Sequence, residues 1–127
     1  MVTSGMNVNM KNAESSMHDG GVLEYSRIHK ITIQTWSPFQ YGFFEGNFVD
    51  NEKFPKLNEK LAELSEKYGV SKTGVAAAWI LRHPAGMQLL AGTMNPDHLL
   101  DLCKAADLTL TRAEWYEIYR AAGHCLP

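Results

Sequence analysis

Apolar and polar positions along the chain follow two periods. From Ile31 to Trp36 the residues are β-branched and aromatic and alternate with polar ones, which predicts a strand. Met87 to Ala91 is a short run dominated by apolar residues, of a length that suits a buried parallel strand. Between and around these runs the apolar period lengthens to that of a helix. Leu57, Leu61, Leu64 and Tyr68 form one stripe over Pro55–Tyr68, and Gly69 stops it. Ser71 caps a second helix that runs through Val75, Ala76, Trp79, Ile80 and Leu81 and ends before Pro84. His83 then lies close to that helix's negative end.

Asn95 with Pro96 behind it reads as an N-cap with a first-turn proline, opening a helix with Leu99, Leu102, Cys103 and Ala106 on one face. Thr111-Arg112-Ala113-Glu114 is a capping box, and Trp115, Ile118, Tyr119 and Ala122 follow as inward positions up to Gly123. A shorter helix is predicted from Val22 to Lys30, with Leu23, Tyr25 and Ile28 inward. Residues 1–20 lack periodicity and read as a loop. Pro38–Pro55 is longer than an ordinary connection and carries Phe39, Tyr41, Phe43, Phe44, Phe48 and Phe54, which suits a functional or lid-like loop.

The predicted order is thus loop, α, β, long loop, α, α, β, α, α. Two strands alone do not make an independent parallel sheet with a sound core, and their open edges invite other strands. We therefore expect a single incomplete α/β domain over residues 1–127, helix-rich on its own. Both strands run into turns, Ser37-Pro38-Phe39 and Gly92-Thr93-Met94-Asn95. Strand ends of that kind hold nucleotides in α/β proteins, and in parallel barrels they form the active face.

Composition narrows the class. The 127 residues give room for one domain, and 45% are hydrophobic, as in ordinary globular proteins. A net charge of −2 with no Lys/Arg run argues against a nucleic-acid or anionic-membrane surface. No apolar stretch approaches the roughly 18 residues that span a bilayer, and Met1–Met6 has no signal-peptide character. A cytoplasmic location is expected. Cys103 and Cys125 lack CxxC spacing and read as reduced thiols. His18, His29, His83, His98 and His124 are scattered, so no metal site is expected. Glu114, a superficial candidate for an acid, is explained by its capping box.

Four motifs in order then carry a resemblance: Trp36-Ser37-Pro38-Phe39, Ala77 to Pro84, Ala91 to Pro96, and Leu110 to Gly123. Together they resemble the aldo-keto reductase superfamily, in its bacterial NAD(P)H-dependent oxidoreductase branch, from about residue 5 to the end. The resemblance implies the C-terminal part of a (β/α)8 barrel, with the last βα units and an extra C-terminal helix. It implies an enzyme that reduces aldehydes and ketones with NADP(H) or NAD(H). It also implies that the family's Asp, Tyr, Lys and His tetrad belongs to earlier βα units, so that no residue here is catalytic. The chain would look finished at its C-terminus and truncated at its N-terminus.

The same resemblance assigns cofactor roles. Trp36 would stack on the nicotinamide, and Ser37, Pro38 and Phe39 would hold the pyrophosphate, with Tyr41, Phe43 and Phe44 in a loop folding over the cofactor. Gly92, Thr93, Met94 and Asn95 fall at the adenosine 2′-phosphate site. Gly92 and His98 stand where many relatives carry Lys or Arg, so the choice between NADPH and NADH stays open. Asp101 or Asn95 would meet the adenine. Weak or absent cofactor binding is expected of the chain alone. The competing class is a non-catalytic helical module that self-associates, or complements a missing half-barrel, through its strand edges.

Overall fold

The computed structural model describes residues 21–42 and 45–124. The expected loop over residues 1–20 and the positions of His18, Phe43, Phe44, Cys125, Leu126 and Pro127 lie outside them.

The described chain runs α1 (Val22–Ile28), β1 (Gln34–Thr35), α2 (Pro55–Tyr68), α3 (Lys72–Leu81), β2 (Gln88–Leu89), α4 (Pro96–Ala106) and α5 (Arg112–Ala121). The order is the predicted one. β1 and β2 pair in parallel, Gln34 against Gln88 and Thr35 against Leu89. The ladder bonds are Gln88 N–H to Ile33 C=O at 2.9 Å and Leu90 N–H to Thr35 C=O at 3.2 Å. The Gln34 amide also donates to Gln88 Oε1 at 3.0 Å, locking the register through side chains.

Both strands are shorter than their apolar runs. Ile31 cannot extend β1, because its N–H donates back to Ser26 C=O at 2.8 Å and Lys30 before it sits at φ 55. That is a helix-terminating turn, in which a left-handed residue lets late carbonyls find donors.

The core lies between helices. α2 buries Leu57, Leu61 and Leu64, as its stripe predicts. α3 buries every residue from Gly74 to Ile80, and a helix apolar all round must be enclosed on all sides. It packs against α2, α4 and β2, while α5 closes on α2. α3 meets α4 at Gly74, where a Cβ would stand 3.5 Å from the Asp101 carboxylate, an ordinary contact distance.

Caps fall where the sequence puts them. Ser71 Oγ accepts from Gly74 N–H, Asn95 Oδ1 from Asp97 N–H, and both halves of the Thr111–Glu114 box are present. Gly69 ends α2 at φ 64.

One inward stripe needs correction, and the apolar face of α4 is not its buried one. In α1 only Leu23 of the three expected residues packs on the core, Ser26 is buried instead, and Tyr25 and Ile28 are exposed, Ile28 at 76%. In α4 the buried residue is Ala105, with Leu102 half-buried, whereas Leu99, Cys103 and Ala106 face outward. The cause is Asp101. Its carboxylate accepts both the hydroxyl and the backbone N–H of Ser71, and this turns the Asp101–Ala105 line toward α3. A polar tie at the start of α3 sets the rotation of α4, and periodicity carries no trace of it.

Candidate functional site

The parallel pairing sends both strand ends out of the same edge of the sheet. After β1 the chain turns at Ser37, whose φ of 46 is left-handed, and Gln40 N–H closes the turn on Ser37 C=O at 3.1 Å. Phe39 is held edge-on to Phe48 at 6.4 Å between ring centroids, and Phe48 N–H donates to Phe39 C=O at 3.0 Å. The chain thus doubles back, with Gln40 bridged antiparallel to Asn47.

Asn58, on α2, fixes the return. Its amide nitrogen donates to the carbonyls of Phe48, Asn51 and Phe54, and its oxygen accepts from Asp50 N–H. Tyr41 is buried against Phe54 at 4.9 Å, with the Lys53 ammonium 5.1 Å from its ring centroid. The described part of this long loop is therefore a packed, hydrogen-bonded unit, with Tyr41 in the core.

The second strand end is more open. Among the described residues nothing stands within 4 Å of where a Cβ on Gly92 would point, and Met94 is 100% exposed. Thr93 Oγ1 accepts from Asn95 N–H at 3.1 Å, and Asn95 in turn caps α4.

These two turns face each other across a cleft of about 550 Å³, a size that suits a small ligand. Ser37, Pro38 and Phe39 line it together with Gly92, Thr93 and His98. Six of the nine expected cofactor residues are thereby brought together. Trp36, Met94 and Asn95 are not in the lining. Trp36 is 59% exposed at the end of β1, and Asn95 is occupied with its cap.

The structure adds Ser71, Thr73 and Asp97 to the lining and places Asp101 there as well. Ser71 reads in sequence only as a helix cap. Its presence in the cleft follows from the α3–α4 contact, which has no local signal. The donor set suits a polar ligand with hydroxyl and phosphate groups: a left-handed turn at Ser37, the hydroxyls of Ser37 and Thr93, and the imidazole of His98. These are residues that could hold the diphosphate and ribose of a dinucleotide. Among the described residues, no three His, Cys, Asp or Glu side chains gather as a metal-binding group, and no helix is long and apolar enough to cross a membrane.

A second polar centre lies away from the cleft, between α2 and α5. Glu114 is only 6% exposed. It accepts from Lys67 at 2.7 Å, from the Tyr68 hydroxyl at 2.8 and 2.9 Å, and from the Thr111 N–H and hydroxyl at 2.7 Å each. Burial by itself would raise the Glu114 carboxyl. The donors of Lys67, Thr111 and Tyr68 more than reverse this and lower it from 4.5 to about 2. Lys67 and Tyr68 are both raised, chiefly by their hydrogen bonds to Glu114. With every lone pair engaged, Glu114 is a clamp between helices and not an acid poised for chemistry.

The chain belongs to the aldo/keto reductase family, whose model matches residues 2–122. The two parallel strands and five helices among its described residues are the C-terminal part of that family's (β/α)8 barrel. It is similar to a 6-dehydroglucose reductase of Agrobacterium fabrum, 31% identical over 103 residues, which cover 80% of this chain and 33% of that protein. It is also similar to a 6-dehydroglucose reductase of Novosphingobium aromaticivorans, 26% identical over 110 residues, 86% of this chain and 36% of that one. The chain thus spans about a third of the length of these curated relatives. The family's members are oxidoreductases that generally use a nicotinamide cofactor and a carbonyl substrate.

Proposed function

We propose that this chain forms the part of an NAD(P)H-dependent carbonyl reductase that holds the diphosphate and adenosine of the cofactor. In this reading Ser37, Pro38 and Phe39 receive the pyrophosphate, and Gly92, Thr93, Met94, Asn95 and His98 border the adenosine ribose. Trp36 offers its exposed indole face to the nicotinamide ring. When bound, the cofactor supplies the hydride that reduces an aldehyde or ketone. No residue here takes the tetrad's roles in proton transfer, so the 127 residues alone reduce no carbonyl. A cytoplasmic setting goes with this role.

One observation carries the reading: the turns that end two paired parallel strands line a single cleft. The test is a titration of the chain with NADH and with NADPH, followed by tryptophan fluorescence. Trp79 and Trp115 are stacked on each other within the fold, so quenching by the cofactor should arise from Trp36 and vanish in Trp36→Phe. Absence of quenching at millimolar concentrations of both cofactors would remove the reading. Addition of a polypeptide carrying the tetrad-bearing units should restore carbonyl-dependent cofactor oxidation.

A second reading has its own observation. β1 and β2 form a two-stranded sheet, and Ile31, Trp36 and Leu90 stand exposed on or beside them. A chain that associates through these edges, with a second copy or with the rest of a barrel, would cover them. Sedimentation of the isolated chain as a monomer at high concentration would count against self-association.

A further inference from the structure

We infer that Asn58 is a positioning residue for the cleft: from outside the lining it holds in place the doubled-back chain that supplies Phe39, Gln40 and Asn47 to it. The inference rests on the cleft being the dinucleotide site. It is carried by a relay of hydrogen bonds that runs from α2 to those three residues.

The relay starts on a core helix. Asn58 lies in the first turn of α2, which is sunk into the core through Leu57, Leu61 and Leu64. The Asn58 amide nitrogen donates to Phe48 C=O at 2.8 Å, to Phe54 C=O at 3.0 Å and to Asn51 C=O at 3.2 Å, and its oxygen accepts from Asp50 N–H at 2.7 Å. One side chain thus answers backbone groups that an irregular segment would otherwise leave to water. It also secures Asp50, whose φ of 58 is left-handed and needs support from its surroundings.

Two paths lead on to the lining. Along the backbone, Phe48 gives its C=O to Asn58 and its N–H to Phe39 C=O at 3.0 Å, and the rings of Phe39 and Phe48 meet edge-on. Phe48 is buried, so Phe39 packs on a fixed partner. Through side chains, the Asn51 amide donates to Asn47 C=O at 3.0 Å, and Asn47 Oδ1 accepts from Val49 N–H at 2.8 Å. This sets Asn47 against Gln40 in their antiparallel bridge.

Neither Asn58 nor Asn51 is part of the lining, so replacing them deletes no contact with a ligand. Their effect on binding comes through order. A site already held in its bound shape loses less freedom on binding, and apparent affinity scales with the fraction of molecules in which the site is formed.

The experiment uses the full chain, with Asn58→Ala and the milder Asn51→Ala, at a temperature where each is folded. It measures amide exchange at Gln40 and Phe48 without ligand, and the dissociation constants of NADH and NADPH. Asn58→Ala should speed exchange at both amides and weaken whichever cofactor binds the parent by roughly five- to tenfold. Asn51→Ala should act in the same direction by about two- to threefold. Gly69→Ala, at the far end of α2 and outside the lining, should lower stability and leave the dissociation constants unchanged. A merely structural Asn58 would behave like Gly69. Unchanged cofactor affinity in Asn58→Ala therefore overturns the inference and leaves the dinucleotide reading standing. So does weaker binding without faster exchange at Gln40 and Phe48. If Asn58→Ala does not fold, Asn51→Ala decides by the same two criteria. Failure of both cofactors to bind the parent removes the dinucleotide reading itself, and the inference with it.

Discussion

Trp79 and Trp115 hold each other reciprocally: each indole N–H donates to the other residue's backbone carbonyl at 2.9 Å, and the rings stack 4.6 Å apart at 8°. One pair of side chains thereby joins α3 to α5 by two hydrogen bonds and an aromatic contact. Tyr119 extends the stack from Trp115 at 5.8 Å, and His83 leans on it at 5.9 Å. The extra C-terminal helix is fastened to the helix that lies behind β2, which keeps β2 and its turn in place.

Replacing either indole by a smaller ring should test this fastening. Trp79→Phe and Trp115→Phe each remove one N–H and leave a carbonyl without its donor. Each should cost about 1 to 3 kcal/mol in urea unfolding. The double variant should cost less than the two losses added, because the residues form one unit. Strict additivity would mean that the two bonds act independently.

Glu114 predicts a particular loss of stability in acid. Its folded carboxyl titrates near 2 against an ordinary 4.5, so the folded state binds its proton later than the unfolded state does. The contribution is therefore complete above about pH 4.5 and disappears as the pH falls toward 2. Urea midpoints of the parent and Glu114→Gln should differ most at neutral pH and converge in acid. A constant difference across that range would contradict the clamp. At neutral pH we expect Glu114→Gln to cost about 1 to 3 kcal/mol.

Asn58 should control the order of the loop that borders the cleft. It answers three carbonyls and one N–H of residues 48–54 from a single side chain. Asn58→Ala should destabilise the fold by about 1 to 3 kcal/mol and speed amide exchange at Asp50, Asn51 and Phe54. Exchange at Leu61 and Leu64, in the body of α2, should change much less. Uniform acceleration throughout would show that the loop has no separate anchor.

Two glycines separate backbone need from sequence pattern. Gly69 ends α2 at φ 64, so Gly69→Ala should cost about 1 kcal/mol although its Cβ meets nothing. Gly92 has neither a left-handed φ nor, among the described residues, a close neighbour, so Gly92→Ala should leave thermal stability unchanged. Thermal melts of the two variants check both statements together.

Local signals were legible wherever the determining atoms lie within a few residues of one another. The Leu57–Leu61–Leu64 stripe, the Ser71 and Asn95 caps, the Thr111–Glu114 box and the Gly69 stop are all contacts of that range. Strand length was not legible, since a ladder extends only as far as a partner's register allows. Nor were Tyr25 and Ile28, whose apolarity promised burial that α1 does not give them. Of the expected site, Ser37 to Phe39 and Gly92, Thr93 and His98 do meet in one cleft. Asp97 and Ser71 join them only because α4 and α3 cross there.

The order of elements, their caps and the family were thus in the amino acids themselves, because turns, stripes and motifs are written in neighbouring residues. The rotation of α4 about its axis, the Trp79–Trp115 exchange and the carboxylate wall of the cleft belong to tertiary structure. Each depends on a partner 30 or more positions away, Asp101 on Ser71 and Trp115 on Trp79, and the energy of such a contact exists only once the chain has closed.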